Sequence, residues 1–155
     1  MKKTIKILIA FALTLGIGMA GALITRSSDP AWYAALLKPI VTPPSWVFAP
    51  VWTLLYVLLA IALVRIWEVK ESEDRQIWLC VFFTQLVLNF LWAMLFFGLH
   101  SLLFSWVDIL VLWFTVLVIF LGAYNLDRLS AVLLAPYLAW TTFAAILNVW
   151  VWYIN

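Results

Sequence analysis

Apolar residues along the chain form five long segments separated by short polar ones. Each segment has about the 20 residues that an α-helix needs to cross a hydrocarbon layer roughly 30 Å thick. The segments comprise residues 5–24, 46–67, 77–97, 102–124 and 130–153. Membrane-spanning strands would instead show alternating segments of about ten residues, which this chain lacks. The pattern predicts an all-α integral membrane protein, a single five-helix bundle over residues 1–155 with a long ordered loop between helices 1 and 2.

The composition agrees with a membrane location. Hydrophobic residues make up 68% of the chain and charged residues 10%, whereas soluble domains contain roughly 45–50% apolar residues. So few polar residues cannot cover the surface of a protein in water, and we therefore expect the lipid membrane as its surroundings. The formal net charge of +2 reflects membrane topology and gives no indication of nucleic-acid binding.

The first apolar segment admits two interpretations. A basic start, an apolar run and small residues near its end resemble a signal peptide. The run is long for that purpose, and it contains Ala12, Gly16 and Ala20 at four-residue spacing, with Gly18 and Ala22 beside them. Such a row lets a second helix approach closely. We favour a first spanning helix that packs through this row.

Basic residues predict the orientation in the membrane. With five spans, the N-terminus and the loops after spans two and four share one side. That side holds seven of the nine Lys and Arg residues: Lys2, Lys3, Lys6, Arg65, Lys70, Arg75 and Arg128. Cytoplasmic loops are enriched in Lys and Arg. We therefore expect a multi-pass protein of a bacterial cell membrane, with its N-terminus cytoplasmic and its C-terminus outside.

Several reaction classes lack the residues they require. Cys80 is the only cysteine and His100 the only histidine. His100 lies in a short outer loop, so the bundle offers no axial histidine for a haem iron. We expect no metal site, no required cofactor and no dedicated catalytic constellation.

Polar and aromatic side chains inside the spans are the candidate functional groups. Asp108 is the sharpest candidate, because an acid inside a span is costly and usually faces the bundle interior. Two spans also carry rows of such residues at helical spacing. The rows are Gln85, Asn89, Trp92 and Phe96 in the third span and Tyr137, Thr141, Ala144 and Asn148 in the fifth, with Trp140 beside the latter. These groups either pair across helices and fix packing, or they line one pocket that opens on the outer side.

The long loop after the first span has a sequence that limits its conformations. Residues 32–38 form a short amphipathic segment, and Pro39, Pro43 and Pro44 follow it. Consecutive prolines impose an extended path of low backbone entropy. One interpretation is an ordered lid across the bundle mouth, with Arg26 and Lys38 near the carboxylates of a ligand. The other is an interfacial helix that rests on lipid headgroups.

Several separated blocks of the sequence resemble the tryptophan-rich sensory protein and translocator protein family, also called the peripheral benzodiazepine receptor or TspO/MBR family. The blocks are WYAALLKPIVTPPSWVFAPVWTLLY at 32–56, QLVLNFLW at 85–92, FFG at 96–98, Asp108, and PYLAWTTFAAILN at 136–148. They occur in the order that the family has. The resemblance covers the chain from Trp32 almost to its end.

The resemblance implies a five-helix bundle, commonly a homodimer, with a ligand cavity closed by the first loop. It implies binding of porphyrins, especially protoporphyrin IX, and light-dependent porphyrin breakdown in which Trp52 and Trp140 take part. The cavity residues that it implies are Trp32, Trp46, Pro50, Trp52, Asn89, Trp92, Asp108, Trp140, Ala144, Leu147 and Asn148. A transporter of porphyrins or other apolar molecules and a regulatory membrane scaffold are the alternatives. Animal members carry a basic residue after a tyrosine at the end of the fifth span, and this chain lacks one, so we expect no cholesterol site there.

Overall fold

Five long helices form the body of the protein. In a computed structural model, which describes residues 2–70 and 73–155, α1 spans Lys3–Ser27, α2 Pro30–Ala35, α3 Ser45–Glu68, α4 Glu73–Ala93, α5 Leu102–Leu126 and α6 Arg128–Ile154. A π-helical turn, Met94–Gly98, continues α4. The five long helices, with the π-helical turn counted as part of α4, are each long and apolar enough to cross a membrane. The five-helix membrane bundle predicted from the sequence is confirmed.

Contacts between helix ends show that successive long helices run in opposite directions. At one end, Lys6 Nζ of α1 donates to Glu68 Oε1 of α3 at 2.6 Å. At the same end, Arg65 of α3 donates to Asp127, which follows α5. We call the end that holds these four residues the basic end. At the opposite end, which we call the lid end, Ser28 Oγ lies 3.2 Å from His100 Nε2.

Helix α1 packs on the bundle through only part of the predicted small-residue surface. Ala10 and Thr14 are fully buried, and a Cβ on Gly18 would lie 2.5 Å from the ring of Tyr56. Ala12 is exposed, and Gly16 has nothing within 4 Å of the position that a Cβ would take. The predicted packing row was therefore wrong for these two residues. The ring of Tyr56 in α3 packs on the side of α1 that includes Gly18, whereas Ala12 and Gly16 lie on another side.

A second glycine brings α5 close to α4. A Cβ on Gly122 would lie 2.3 Å from the ring of Trp78, so this indole covers the helix backbone of α5. Helices α5 and α6 are joined by Trp113 Nε1, which donates to Thr142 Oγ1 at 2.7 Å. Trp106 and Trp152 stack with ring centroids 4.8 Å apart near the lid end.

We predict opposite effects from one substitution at two glycines of α1. Gly18→Ala should destabilise the protein by roughly 1–3 kcal/mol, because the added methyl group overlaps a ring that is held inside the bundle. Gly16→Ala, the control, adds a methyl group to open space and should leave stability unchanged or raise it. Thermal unfolding in detergent micelles, followed by circular dichroism, measures both. Equal melting temperatures for the two variants would contradict the packing described for α1.

Candidate functional site

A chain of hydrogen bonds crosses the middle of the bundle. Tyr56 OH of α3 donates to Asn89 Oδ1 of α4, and Asn89 Nδ2 donates to Tyr137 OH of α6 at 2.9 Å. Tyr137 OH in turn donates to Gln85 Oε1, also at 2.9 Å. All four side chains are buried. We call these four residues the tyrosine–amide chain. In an apolar interior each polar group needs such a partner, so the chain fixes how α3, α4 and α6 are rotated.

Trp52 lies against this chain and faces the bundle interior. Its ring centroid is 5.6 Å from that of Tyr56, in a stacked arrangement, and 6.3 Å from that of Tyr137, edge to face. Trp140 meets Trp52 at 6.4 Å with an interplanar angle of 88°. Two tryptophans from different helices therefore form a right-angled aromatic corner. The indole N–H of Trp140 is buried and has no hydrogen-bond partner in the described part of the chain.

A second cluster of aromatic side chains lies closer to the lid end. Trp92 stacks on Phe96 at 5.5 Å, and Trp32 of the lid meets Phe96 edge to face at 5.6 Å. Phe96 and Phe97 are both presented by the π-helical turn, a local distortion that is often found at functional sites. Trp92 Nε1 donates to Asn148 Oδ1 of α6 at 3.1 Å. This bond orients the indole toward the interior.

The loop between α1 and α3 is an ordered lid attached at two places. Its helix α2 begins after Asp29, whose side chain accepts from Ala31 N at 2.8 Å. On one side of the lid, the ring of Trp32 stacks on that of His100 with centroids 4.0 Å apart. On the other side, the amide of Asn155 bonds to both backbone groups of Leu37, at 2.9 and 3.0 Å. These contacts hold the lid across the helix ends.

The lid also contains a basic side chain, that of Lys38, which is bonded within the lid. The ammonium of Lys38 donates to the carbonyl oxygen of Tyr33 and to that of Leu36 at 3.3 Å. It lies 4.3 Å from the centroid of the Tyr33 ring. Burial raises the pKa of the Tyr33 phenol. Lys38 is thus satisfied within the lid and needs no counter-ion from outside it.

A small cavity remains beneath the lid. Its volume is about 60 Å³, and it is lined by Tyr33, Leu36, Lys38, Thr42, Phe48, Trp92, Phe96, Phe97, Leu147, Asn148 and Val151. Pockets that hold drug-sized ligands have volumes of roughly 300–1,000 Å³. The aromatic side chains therefore fill most of the interior in this closed arrangement. A larger ligand requires the lid to move and the rings to separate.

The structure brings most, but not all, of the predicted site residues into the interior. Trp92, Leu147 and Asn148 line the lid cavity, and Trp32 contacts its lining residue Phe96. Trp52, Trp140 and Asn89 belong to the aromatic corner and the tyrosine–amide chain. Ala144 is partly buried against the core, and its carbonyl oxygen accepts from Asn148 Nδ2. Asp108 is buried, and its Oδ2 has no partner in the described residues. Trp46 is 73% exposed, and Pro50 and Arg26 are also exposed. These last three are not brought together with the others.

Phe48 and Val151 line the cavity but were not among the predicted residues. The ring of Phe48 also meets that of Trp140 at 5.9 Å. Helical spacing could have found both, because Phe48 precedes Trp52 by four residues and Val151 follows Asn148 by three. Residues 2–70 and 73–155 contain no group of three or more His, Cys, Asp or Glu side chains that could hold a metal ion.

Comparison with known proteins shows similarity along nearly the whole chain. The sequence matches the TspO/MBR family over residues 9–153. The tryptophan-rich protein TspO of Archaeoglobus fulgidus is 42% identical over 151 residues, which are 97% of each chain. The tryptophan-rich protein TspO of Chlorobaculum tepidum is 34% identical over 95% of this chain and 94% of its own. The translocator protein of Bos taurus is 35% identical over 89% of this chain and 83% of its own.

We predict that the tyrosine–amide chain stabilises the bundle. Asn89→Leu keeps the approximate size of the side chain but removes hydrogen bonds to both tyrosine hydroxyls. Such bonds in membrane bundles contribute roughly 0.6 kcal/mol on average, so the variant should lose about 1–2 kcal/mol. Thr84→Val is the control, because Thr84 is exposed on the same helix. Thermal unfolding in micelles measures both, and an Asn89→Leu protein as stable as the control would contradict the prediction.

Proposed function

Because the chain belongs to the TspO/MBR family and is a multi-pass membrane protein, we propose that it binds porphyrins such as protoporphyrin IX, and related flat apolar ligands, between its helices. The observation that supports this most is the right-angled corner of Trp52 and Trp140, which lies inside the bundle beneath an ordered lid. Tryptophans that served only as membrane anchors would lie at the water–lipid boundaries.

The aromatic corner has the chemistry that a flat macrocycle needs. A ring that separates Trp52 from Trp140 can stack on one indole and meet the edge of the other. Each aromatic pair contributes about 0.5–1.5 kcal/mol beyond the burial of apolar area. The unpartnered N–H of Trp140 and Oδ2 of Asp108 are buried polar atoms that a ligand with ring nitrogens can satisfy.

The charged parts of a porphyrin are accommodated at the lid end. Carboxylates that remain unpaired in lipid are costly, so the two propionates stay at the mouth of the bundle. Lys38 lines the cavity there, and Arg26 lies at the lid end of α1. When the lid opens, the ammonium of Lys38 can exchange its carbonyl partners for a ligand carboxylate, which gives a stronger, charge-assisted hydrogen bond.

We further propose that light-driven breakdown of the bound porphyrin begins with electron transfer from the same indoles. An excited porphyrin takes one electron from Trp52 or Trp140, which leaves an indole radical cation and a porphyrin radical anion. Tyr56 and Tyr137 are in ring contact with Trp52, but their hydroxyls donate to amide oxygens, which are poor proton acceptors. A phenol that cannot release its proton is a poor electron donor. The oxidised site therefore stays on the indoles.

Orientation and assembly complete the proposal. The basic end carries Lys6 and Arg65, and cytoplasmic loops are rich in such residues, so we place this end and the N-terminus in the cytoplasm of a bacterial cell. The lid end and the C-terminus then lie outside. A homodimer is the proposed assembly. Porphyrin is a ligand in this proposal, and no cofactor is required.

We predict that Trp140→Leu weakens protoporphyrin IX binding about tenfold, the loss expected from one aromatic contact of roughly 1.4 kcal/mol. Trp150→Leu is the control, because Trp150 is 45% exposed. Titration of the purified protein in micelles, followed through the porphyrin absorption band, gives both affinities. Saturable binding by the wild type is required. Its absence, or equal affinities for all three proteins, would count against this site.

We predict that replacing both indoles of the corner stops the photochemistry but leaves the ligand bound. In the Trp52→Phe, Trp140→Phe protein, the aromatic surface is kept and the readily oxidised indoles are lost. Under illumination, loss of porphyrin absorbance should slow to the rate of porphyrin in empty micelles. Trp150→Phe should degrade porphyrin at the wild-type rate. Wild-type loss in the double variant, with porphyrin bound, would exclude these indoles as the electron donors.

A further inference from the structure

A second cavity lies at the basic end, on the opposite side of the bundle from the lid. Its volume is about 260 Å³, and it is lined by Lys3, Val64, Arg65, Glu68, Val69, Leu126 and Asp127. It is formed where the start of α1, the end of α3 and the end of α5 meet. It shares no residue with the cavity beneath the lid. It is larger than that cavity and is lined by four charged and three apolar residues.

Two ion pairs hold these charges in place. Arg65 donates to both carboxylate oxygens of Asp127, at 2.7 and 2.8 Å, and Asp127 also accepts from the backbone N–H of Ser130 at 3.0 Å. The guanidinium of Arg65 lowers the pKa of Asp127 to about 2, so this residue is ionised at any physiological pH. Lys6 donates to Glu68 Oε1 at 2.6 Å. Three residues of the lining, Arg65, Glu68 and Asp127, are thus already in ion pairs.

Each sign of charge keeps unused hydrogen-bonding capacity. Within the described part of the chain, Lys3 Nζ and Arg65 Nη1 donate no hydrogen bond, and Glu68 accepts only through Oε1. Lys3 and Arg65 therefore have spare hydrogen-bond donors, and Glu68 has a spare acceptor. Val64, Val69 and Leu126 supply the apolar part of the lining. A simple anion would leave the spare carboxylate oxygen unused, and a simple cation would leave the spare donors unused.

We propose that this cavity binds a phosphate group that carries an ammonium nearby, the chemistry of an ethanolamine phospholipid headgroup or of free phosphoethanolamine. The phosphate pairs with Lys3 and the free nitrogen of Arg65, and the ammonium pairs with Glu68. The ends of spanning helices lie at the depth of lipid headgroups.

Lipid retention by the intact protein tests the proposal. The protein in detergent is offered equal amounts of phosphatidylethanolamine, phosphatidylglycerol and phosphatidylcholine with the same acyl chains. Native mass spectrometry counts the lipids that it keeps. The wild type should prefer phosphatidylethanolamine, because only this lipid combines a phosphate with an ammonium that donates hydrogen bonds. Equal retention of the three lipids would overturn the proposal.

Two variants and a matched control distinguish the role of the basic residues of the cavity from that of its acidic residue. Lys3→Gln should lower retention of phosphatidylethanolamine and phosphatidylglycerol alike, about three- to fivefold, as expected for one partly solvated charge pair. Glu68→Gln should lower retention of phosphatidylethanolamine only, and should raise that of phosphatidylglycerol because Lys6 is released. Lys2→Gln is the control, since Lys2 does not line the cavity. An effect of Lys2→Gln equal to that of Lys3→Gln would overturn the proposal.

Free phosphoethanolamine identifies the source of the ligand. Displacement of retained lipid by an excess of the soluble compound supports the site and assigns it to a soluble ligand. Retention of the lipid under the same conditions supports the site and assigns it to the headgroup in the bilayer. The experiment contains no porphyrin, so its result does not depend on the function proposed for the lid end.

Discussion

The arrangement of the bundle depends on the tyrosine–amide chain between α3, α4 and α6. Hydrophobic burial cannot select one rotation of a helix in lipid, because the acyl chains are as apolar as the side chains in the interior. Hydrogen bonds supply that selection, since each hydroxyl and amide that faced lipid would lose its partners. With Tyr56 and Tyr137 held in this way, the neighbouring turns of α3 and α6 place Trp52 and Trp140 inward.

Close approach of the helices acts together with this polar centre. Gly18 allows α1 to lie directly on the ring of Tyr56, so the outermost helix covers a residue whose hydroxyl is already committed to Asn89. Gly122 does the same for α5 under the ring of Trp78. At two separate helix pairs, a large aromatic ring thus packs against a glycine, which has no side chain. The high content of aromatic residues is accommodated without spreading the helices apart.

The fold could be predicted from the sequence further than the site could. Five apolar segments of spanning length define five helices, because length and composition alone decide whether a segment can cross a bilayer. Which face of each helix points inward is a different question. Trp46 lies on an apolar helix just as Trp52 does, yet it is 73% exposed, and Ala12 and Gly16 of α1 lie on an open face. A residue-by-residue pattern misses such rotations, because lipid and protein interior favour the same side chains.

The internal bonding of Lys38 has a consequence for the proposed binding of acidic ligands. The carbonyl groups of Tyr33 and Leu36 and the face of the Tyr33 ring surround this ammonium, so its contacts are made within the lid. In the proposed function, an uncharged ligand would leave these bonds intact, whereas an acidic ligand would compete for the lysine and loosen the turn that it stabilises. Under that proposal, the acidity of the ligand would be coupled to the conformation of the loop.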